Sequence, residues 1–563
     1  MTSVAVLGGG VGGLSAAHEL ATRGFDVVVY EARDVFGGKA RSIPVRGTEV
    51  GGREPLPGEH GFRFFPGFYR HVNRTMAAIP RLGSTVVRSL VPATEMLLAQ
   101  DGGRNAIVAP TTFPSTLGDL GRLARFVHTI AVRMNIPLRE YVMFFELLLG
   151  YLTACDERRL HDYEPLDWWT FVKAEQCSPA YQEFLAKGMT RALVAARAEE
   201  MSARTGCAIL CQLLQDMARP DGQIDRVLDG PTSEVWIQPW VDWLRDEHGV
   251  RFAPGHRVVD VRCDGTRVTG VTVQSVGGSR DVVADYYVAA LPCEKLAPLT
   301  TGGLARVDDS LAHLDHLVTR WMTGAMYYLD VDLPLVHGHV IFLNSPWALT
   351  AISQQQFWDL DLETRGDGRV EGILSVDVSD WDTKGLNGKS ATQCTKEEIL
   401  DEVWRQMVAH IDDGTLSKAN VLHRFLDPGI HFDPATGTPT RNDDPLLINT
   451  KGSWRIRPEA STKVRNLVIA SDFVRTNTDL ATMEAANEAA RRAVNAILDA
   501  ESSPHPRCEI FDLAEPALLA PFRKLDALLW KLGRRRRSRL KMLGVNEAGN
   551  LVVAPQLRRG TPG

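Results

Sequence analysis

The run Val4-Ala-Val-Leu-Gly-Gly-Gly-Val-Gly-Gly-Leu14, followed by Val27-Val-Val-Tyr-Glu31, constrains this chain more than any other stretch. It reads as a strand, a Gly8-x-Gly10-x-x-Gly13 turn, a helix with apolar Leu14, Ala17, Leu20 and Ala21, and a second strand ending in an acid. A dinucleotide site needs this order. Gly8 permits the tight turn, Gly10 lets backbone amides approach a pyrophosphate, and Gly13 lets the helix pack close to the sheet. Val11 and Gly12 open the helix, whose N-terminus turns its partial positive charge toward the phosphates. Glu31 lies eighteen residues after Gly13, where a carboxylate accepts hydrogen bonds from ribose hydroxyls and repels a 2′-phosphate. With 48 glycines in the chain, such spacing also arises by chance as a plain structural turn. The flanking strands, the helix and the acid are what select the dinucleotide reading.

At 563 residues the chain exceeds one ordinary core, so two or three packed regions are expected. A net charge of −6 gives no global attraction to nucleic acid. The eight cysteines show no zinc-type spacing, and Cys207 and Cys211, one helical turn apart, read as small buried thiols. No run of eighteen apolar residues is present. The first strand begins near residue 3, which leaves no room for a secretory leader and points to the cytoplasm.

After Glu31 come Ala32, Arg33 and a second glycine doublet, Gly37-Gly38, followed by Lys39, Ala40 and Arg41. More glycine and positive charge beside the pyrophosphate favours FAD over NAD. The pattern predicts an α/β protein: a Rossmann-like FAD-binding domain from residues 1–115, 225–305 and 456–505, interleaved with a mixed α+β substrate domain from 116–224 and 306–455. Residues 116–220 read as helical, with apolar faces at 141–151 and 208–214. Residues 310–455 read as strand-rich, with Met322–Leu329, Gly338–Phe342 and Gly372–Val378 as examples. A last strand, Asn466–Asp472, precedes an alanine-faced helix from Met483 to Leu498.

On these residues the chain resembles the FAD-dependent phytoene desaturase group of the flavin amine oxidase superfamily, most closely its plant and cyanobacterial type. The segment Glu31 to Lys39 is similar to that family's acid and glycine-doublet signature, and Gly61-Phe62-Arg63-Phe-Phe-Pro-Gly67-Phe-Tyr69 to its next motif. Arg257–Val261 is similar to the strand whose backbone holds the adenine, at Val259. Ala470-Ser471-Asp472 and Thr482-Met483-Glu-Ala-Ala486 are similar to the closing motif, in which the acid binds the ribityl chain and the helix faces the isoalloxazine. Ser471 and Ala485 stand where relatives have glycine, and Arg63 where plant-type desaturases have histidine. Arg63 is therefore the candidate for a substrate-facing catalytic role. No cysteine lies between Cys394 and Cys508, so the FAD is expected to be non-covalent.

The resemblance implies hydride loss from a C–C bond of a hydrophobic carotenoid, terpenoid or lipid-like substrate to flavin N5, with oxygen or a quinone reoxidising the cofactor. Redox-neutral isomerisation or dehydroxylation of a polyene is the alternative, and amine oxidation a weaker one, because all ten tyrosines lie at or before Tyr328. The helices at 141–151 and 208–214 and the aromatics Trp321, Tyr327, Tyr328 and Phe342 would line an apolar tunnel, although each alone reads as core. In the tail, 506–563, apolar Leu518, Phe522, Leu525, Leu528, Leu529 and Leu532 lead into six cations between Arg534 and Lys541. Such a segment at 517–541 lies on an anionic membrane surface or docks on its own domain.

Overall fold

The structure is a computed structural model that describes residues 1–103, 106–111, 133–188, 190–191, 196–217 and 225–534, and the strands at 543–545 and 551–553. The helical reading of 112–132 and most of the basic run after Arg534 lie outside the described residues.

The chain opens with β1 (Ser3–Leu7), α1 (Val11–Ala21) and β2 (Asp26–Tyr30), then leaves for β3 (Glu95–Ala99) and β4 (Ile107–Pro110). It passes through α2 (Leu138–Leu152) and α3 (Ala203–Met217) and returns for β5 (Arg251–Ala253), β6 (Arg257–Cys263) and β7 (Tyr286–Ala289). It departs again for β8 (Thr323–Leu329), β9 (Gly338–Phe342), β10 (Leu349–Ser353), β11 (Gly372–Val378), α4 (Lys396–His410) and β12 (Val421–Leu426). It closes with β13 (Leu467–Ile469), α5 (Met483–Ala500) and α6 (Ala520–Lys531).

Two sheets result. The first runs β5-β2-β1-β7-β13, all parallel, and α1 and α5 pack together against it. Buried on both faces, its strands read as continuous apolar runs. The second runs β12-β8-β11-β10-β9-β3-β4 and is antiparallel except where β3 meets β9. Because the chain visits the sheets alternately, the Rossmann-like fold and the mixed sheet are interleaved.

The second sheet has unequal faces. Tyr327, Val340, Phe342, Leu349, Ala351, Leu374 and Val376 alternate onto one face and pack on Ile399, Leu400, Val403 and Met407 of α4. The residues between them, including His339, Thr350, Ser375 and Asp377, share the other face in register. Gly324 on β8 lets the segment at 59–60 cross this face, since a Cβ there would lie 2.6 Å from the Glu59 carbonyl oxygen.

The apolar faces of α2 and α3 pack into a separate helical core with Trp168 and Tyr181, and Cys207 and Cys211 are free thiols within it. Helix α6 docks with inverted polarity. Its Asp526 is buried and accepts from the Cys155 amide (2.9 Å) and Arg158 Nε (3.0 Å), whereas Leu518, Leu525, Leu528 and Leu532 are 54–79% exposed. Among the described residues no helix is long and apolar enough to cross a membrane, and no cluster of potential metal ligands is present.

Candidate active site

A cavity of about 910 Å³ runs between the end of β1 and the polar face of the second sheet. At one end its wall is backbone. Gly10 caps α1 with no side-chain cap, which leaves the helix amides for a ligand's phosphates. The Gly37 amide donates to the Gly9 carbonyl (2.8 Å), so the second glycine doublet lies against the first. Glu31 is buried and already oriented, with one oxygen accepting from the Gly9 amide (2.8 Å) and the other from the Arg33 amide (2.9 Å). Each oxygen keeps a lone pair for a ribose hydroxyl.

Nineteen of the residues singled out above line this cavity: Gly8, Gly10, Val11, Gly12, Glu31, Ala32, Arg33, Gly37, Gly38, Lys39, Ala40, Gly61, Phe62, Arg63, Ser471, Asp472, Thr482, Met483 and Ala486. Asp472 is tied to Ser471 Oγ (3.3 Å), and Thr482 caps α5 by accepting from the Ala485 amide (3.2 Å). Residues 8–40 and 471–486 thus meet in one cradle whose backbone and acids suit a flavin dinucleotide.

Three residues stand elsewhere. Gly13 faces the turn itself, where a Cβ would come within 1.9 Å of the Gly8 carbonyl oxygen. Arg41 does not line the cavity itself but donates to two groups that do, the Gly38 carbonyl (2.7 Å) and Asp444 (3.1 Å), and so braces the doublet. Val259 is 38% exposed and occupies a β-bulge between Val258 and Asp260, and it is His256, Arg257 and Val258 that reach the cavity. A bulge shifts the inward-facing residue by one, and the alternation of the sequence does not reveal it.

Asp444 lies between Arg33 and Arg41. Burial alone would raise its pKa, but the two guanidinium groups outweigh that and hold the carboxyl well below the usual range. Lys39 is also engaged, by the Pro445 carbonyl and by Glu294 at 3.6 Å.

The opposite end mixes apolar and polar side chains where an apolar tunnel was expected. Tyr327, Tyr328, Phe342 and the apolar faces of α2 and α3 pack in cores and line none of the cavity. Its lining there mixes Phe62, Phe64, Met96, Met322 and Ile341 with His60, Asp225, His339, Thr350 and Asp377. Arg63 donates to the Lys39 carbonyl (3.0 Å) and approaches Glu59 (3.6 Å), so it joins the two ends of the cavity. The sequence signal for the missed residues was slight: a polar residue at alternate positions in otherwise apolar strands, as in Gly338-His-Val-Ile-Phe342 and Ser375-Val-Asp-Val378.

Burial pushes Asp377 up to about 7 against the opposing pull of Arg63 and the Phe62 amide. An acid whose folded pKa exceeds its unfolded value costs stability as pH rises. The penalty is absent below the unfolded pKa, grows between about pH 4 and pH 7, and is constant above. A rise of this size corresponds to roughly 4 kcal/mol. Asp377→Asn is therefore expected to raise the denaturation midpoint more at pH 8 than at pH 5. Equal changes at both pH values would contradict it.

Residues 11–498 match the family described as flavin containing amine oxidoreductase. The carotenoid phi-ring synthase of Chlorobaculum tepidum is 24% identical over 305 residues, 54% of this chain and 44% of that protein, so the chain spans less than half of this relative's length. The 15-cis-phytoene desaturase of Synechococcus elongatus is 23% identical over 499 residues, 88% of this chain and 95% of that protein. Among solved structures, putrescine oxidase bound to putrescine has a TM-score of 0.59 at 13% identity, covering 88% of this chain and 99% of that one, which is likeness of fold.

Proposed function

The chain belongs to the family of flavin-containing amine oxidoreductases, and from that premise we propose that it holds FAD non-covalently and desaturates a C–C bond of a hydrophobic polyene-class substrate. The carrying observation is the likeness to a phytoene desaturase over 88% of this chain, joined to a cradle complete at both ends. The flavin, when bound, supplies the hydride acceptor. The start of α1 would hold its pyrophosphate, Glu31 its ribose and Asp472 its ribityl chain, with Thr482, Met483 and Ala486 at the start of α5 completing the cradle. Phe62, Phe64, Met96, Met322 and Ile341 bind apolar substrate at about 25 cal/mol per Å² of buried surface and exclude water. Arg63 positions the segment carrying both phenylalanines. No cysteine lines the cavity, which supports non-covalent attachment.

Anaerobic mixing with linear polyenes tests this reading. Persistent bleaching of the flavin absorbance is expected, with recovery on adding oxygen or a quinone. Product without net bleaching would mean isomerisation. Acid precipitation is expected to leave the flavin in the supernatant, and yellow protein in the pellet would overturn non-covalent binding.

The same proposal places the enzyme on the cytoplasmic face of an anionic membrane. The supporting feature is the exposed leucine face of α6 beside exposed Lys524, Lys531 and Arg534. Cutting off the tail would unpair Arg158 and Arg159 from Asp526 and Glu515, so the full chain with Leu525→Ser, Leu528→Ser and Leu532→Ser is the better probe. At least a tenfold loss of sedimentation with phosphatidylglycerol vesicles is expected. Undiminished sedimentation removes α6 as the anchor.

A further inference from the structure

Buried histidines in this protein fall into two kinds. His71 and His410 use both ring nitrogens. His71 Nδ1 contacts Glu484 (2.7 Å) and its Nε2 accepts from the Phe511 amide (2.9 Å). In His410, Nδ1 meets the Gln406 carbonyl (2.7 Å) and Nε2 the Asn344 side chain (3.0 Å). That is how a histidine kept for packing satisfies itself.

His339 is different. It is 6% exposed, its Nδ1 is held by Asp225, and its Nε2 is buried without a hydrogen-bond partner. Phe62 and Phe64 pack on the ring at centroid distances of 4.7 and 5.7 Å, which fixes its plane. The ring lies on the cavity face of the second sheet, and both His339 and Asp225 line the cavity that the flavin cradle opens into. The charged groups around it are Asp225, Asp377 across the sheet on β11, and Arg63, which faces Asp377. Its register partner on β3 is Met96, which brings no charge. His60, the other cavity histidine with an unpartnered Nε2, is held by Asp427 among the ions that brace the glycine doublet, near Asp444 and Arg41. Of these two, His339 is the one that combines a free nitrogen with an apolar surround suited to a C–H substrate.

We propose that Nε2 of His339 accepts the proton that leaves the substrate, and that Asp225 fixes the tautomer and balances the imidazolium. The proposal rests on the desaturase reading above. Two adjacent carbons each lose hydrogen: one C–H departs with its electron pair as the hydride taken up by the flavin, and the other C–H gives its proton to Nε2 while its electron pair becomes the new π bond. Asp225 remains a carboxylate throughout. The imidazolium returns its proton to water once product leaves. A carboxylate on Nδ1 directs the neutral ring's lone pair to Nε2 and makes it the more basic nitrogen.

The test uses the flavin-loaded full chain. His339→Gln is expected to slow bleaching by the polyene about 100-fold, as loss of a positioned base does, with flavin content retained and the effect in kcat rather than KM. Asp225→Asn, which keeps the shape, is expected to slow it at least tenfold and to displace the acidic limb of the pH–rate profile. Rates and profile unchanged in His339→Gln would overturn the proposal. A second readout needs no substrate. In protein labelled with 15N at histidine, the pair of resonances missing from His339→Gln is expected to show the Nδ1–H tautomer with Nε2 unprotonated, and Asp225→Asn is expected to lose that preference. A ring held as the Nε2–H tautomer overturns the proposal, because a nitrogen that already carries a proton cannot accept one. Should the wild type fail to bleach, the substrate reading falls, and the tautomer still decides the role of the imidazole.

Discussion

Gly12→Ala is expected to yield a protein that folds but carries almost no flavin. The reason is a contact between parts of the chain more than 450 residues apart: a Cβ on residue 12 would lie 2.1 Å from the carbonyl oxygen of Ala470. Both partners are confined. Residue 12 sits in the first turn of α1, and Ala470 follows β13, where its amide donates to the Ala289 carbonyl (3.0 Å). Relief requires the start of α1 to separate from the segment carrying Ser471 and Asp472. Overpacking of this kind costs about 1–3 kcal/mol of stability, which a chain with several cores survives. The cradle does not survive, because a separation of even half an ångström misaims the helix amides and Asp472 relative to each other. The check is the ratio of flavin absorbance to protein absorbance after purification, expected to fall at least tenfold. Gly24→Ala serves as the control, since nothing lies within 4 Å of a Cβ there, although its φ of +77° carries a modest local strain. A Gly12→Ala protein with wild-type flavin content would show that the two halves can move apart freely.

Asp479→Ala is expected to destabilise the fold by about 3–5 kcal/mol, because it strands a fully buried guanidinium. Arg457 is 1% exposed and donates to Asp479 at 2.6 Å, to the Phe473 carbonyl at 2.7 Å and to the Val474 carbonyl at 2.7 Å. Asp479 also receives Arg204 (2.7 Å) and Thr205 (2.8 Å) from α3, so one carboxylate ties the helical core to the residues directly after Asp472. Asp479 has a φ of +47°, a conformation that Asp and Asn tolerate better than Ala. Asp479→Asn separates the two contributions, since it keeps the backbone preference and removes the charge. The expected order of denaturant midpoints is wild type, Asn, Ala, with flavin release preceding unfolding in both variants. An Ala variant as stable as wild type would mean that Arg457 finds water or another acid.

The cofactor half of the site was legible in the sequence to a degree that the substrate half was not. The Gly8–Gly13 turn, Glu31 and the Gly37–Gly38 doublet are close in sequence, and most of what they do is done by backbone. A motif of that kind carries its geometry with it, because a strand, a tight turn and a helix leave few ways to arrange their amides. Where local reading failed, a non-local cause is visible. Arg41 is taken up by Asp444, which meets it only in the fold and lines the cavity in its place. Val259 lost its place to Val258 through a bulge against the neighbouring strand. The apolar helices and aromatic strands proposed for a tunnel pack instead into separate cores, since large apolar side chains gain more in a dry core than by lining an open cavity.

By itself, then, the sequence determined the dinucleotide cradle, the alternation of the chain between two sheets and the family. The tertiary structure alone decided what faces the cradle across the cavity. Asp225, His339 and Asp377 come from three segments spread over more than 150 residues; His339 and Asp377 look like lone polar interruptions in apolar strands, and Asp225 like one more polar residue of a loop. His339 and Asp377 meet because strand register sets which alternate residues share a face and because α4 covers the other face, and Asp225 joins them by holding His339 Nδ1. Strand pairing is a long-range choice, and a one-residue slip would have turned His339 and Asp377 into the apolar core.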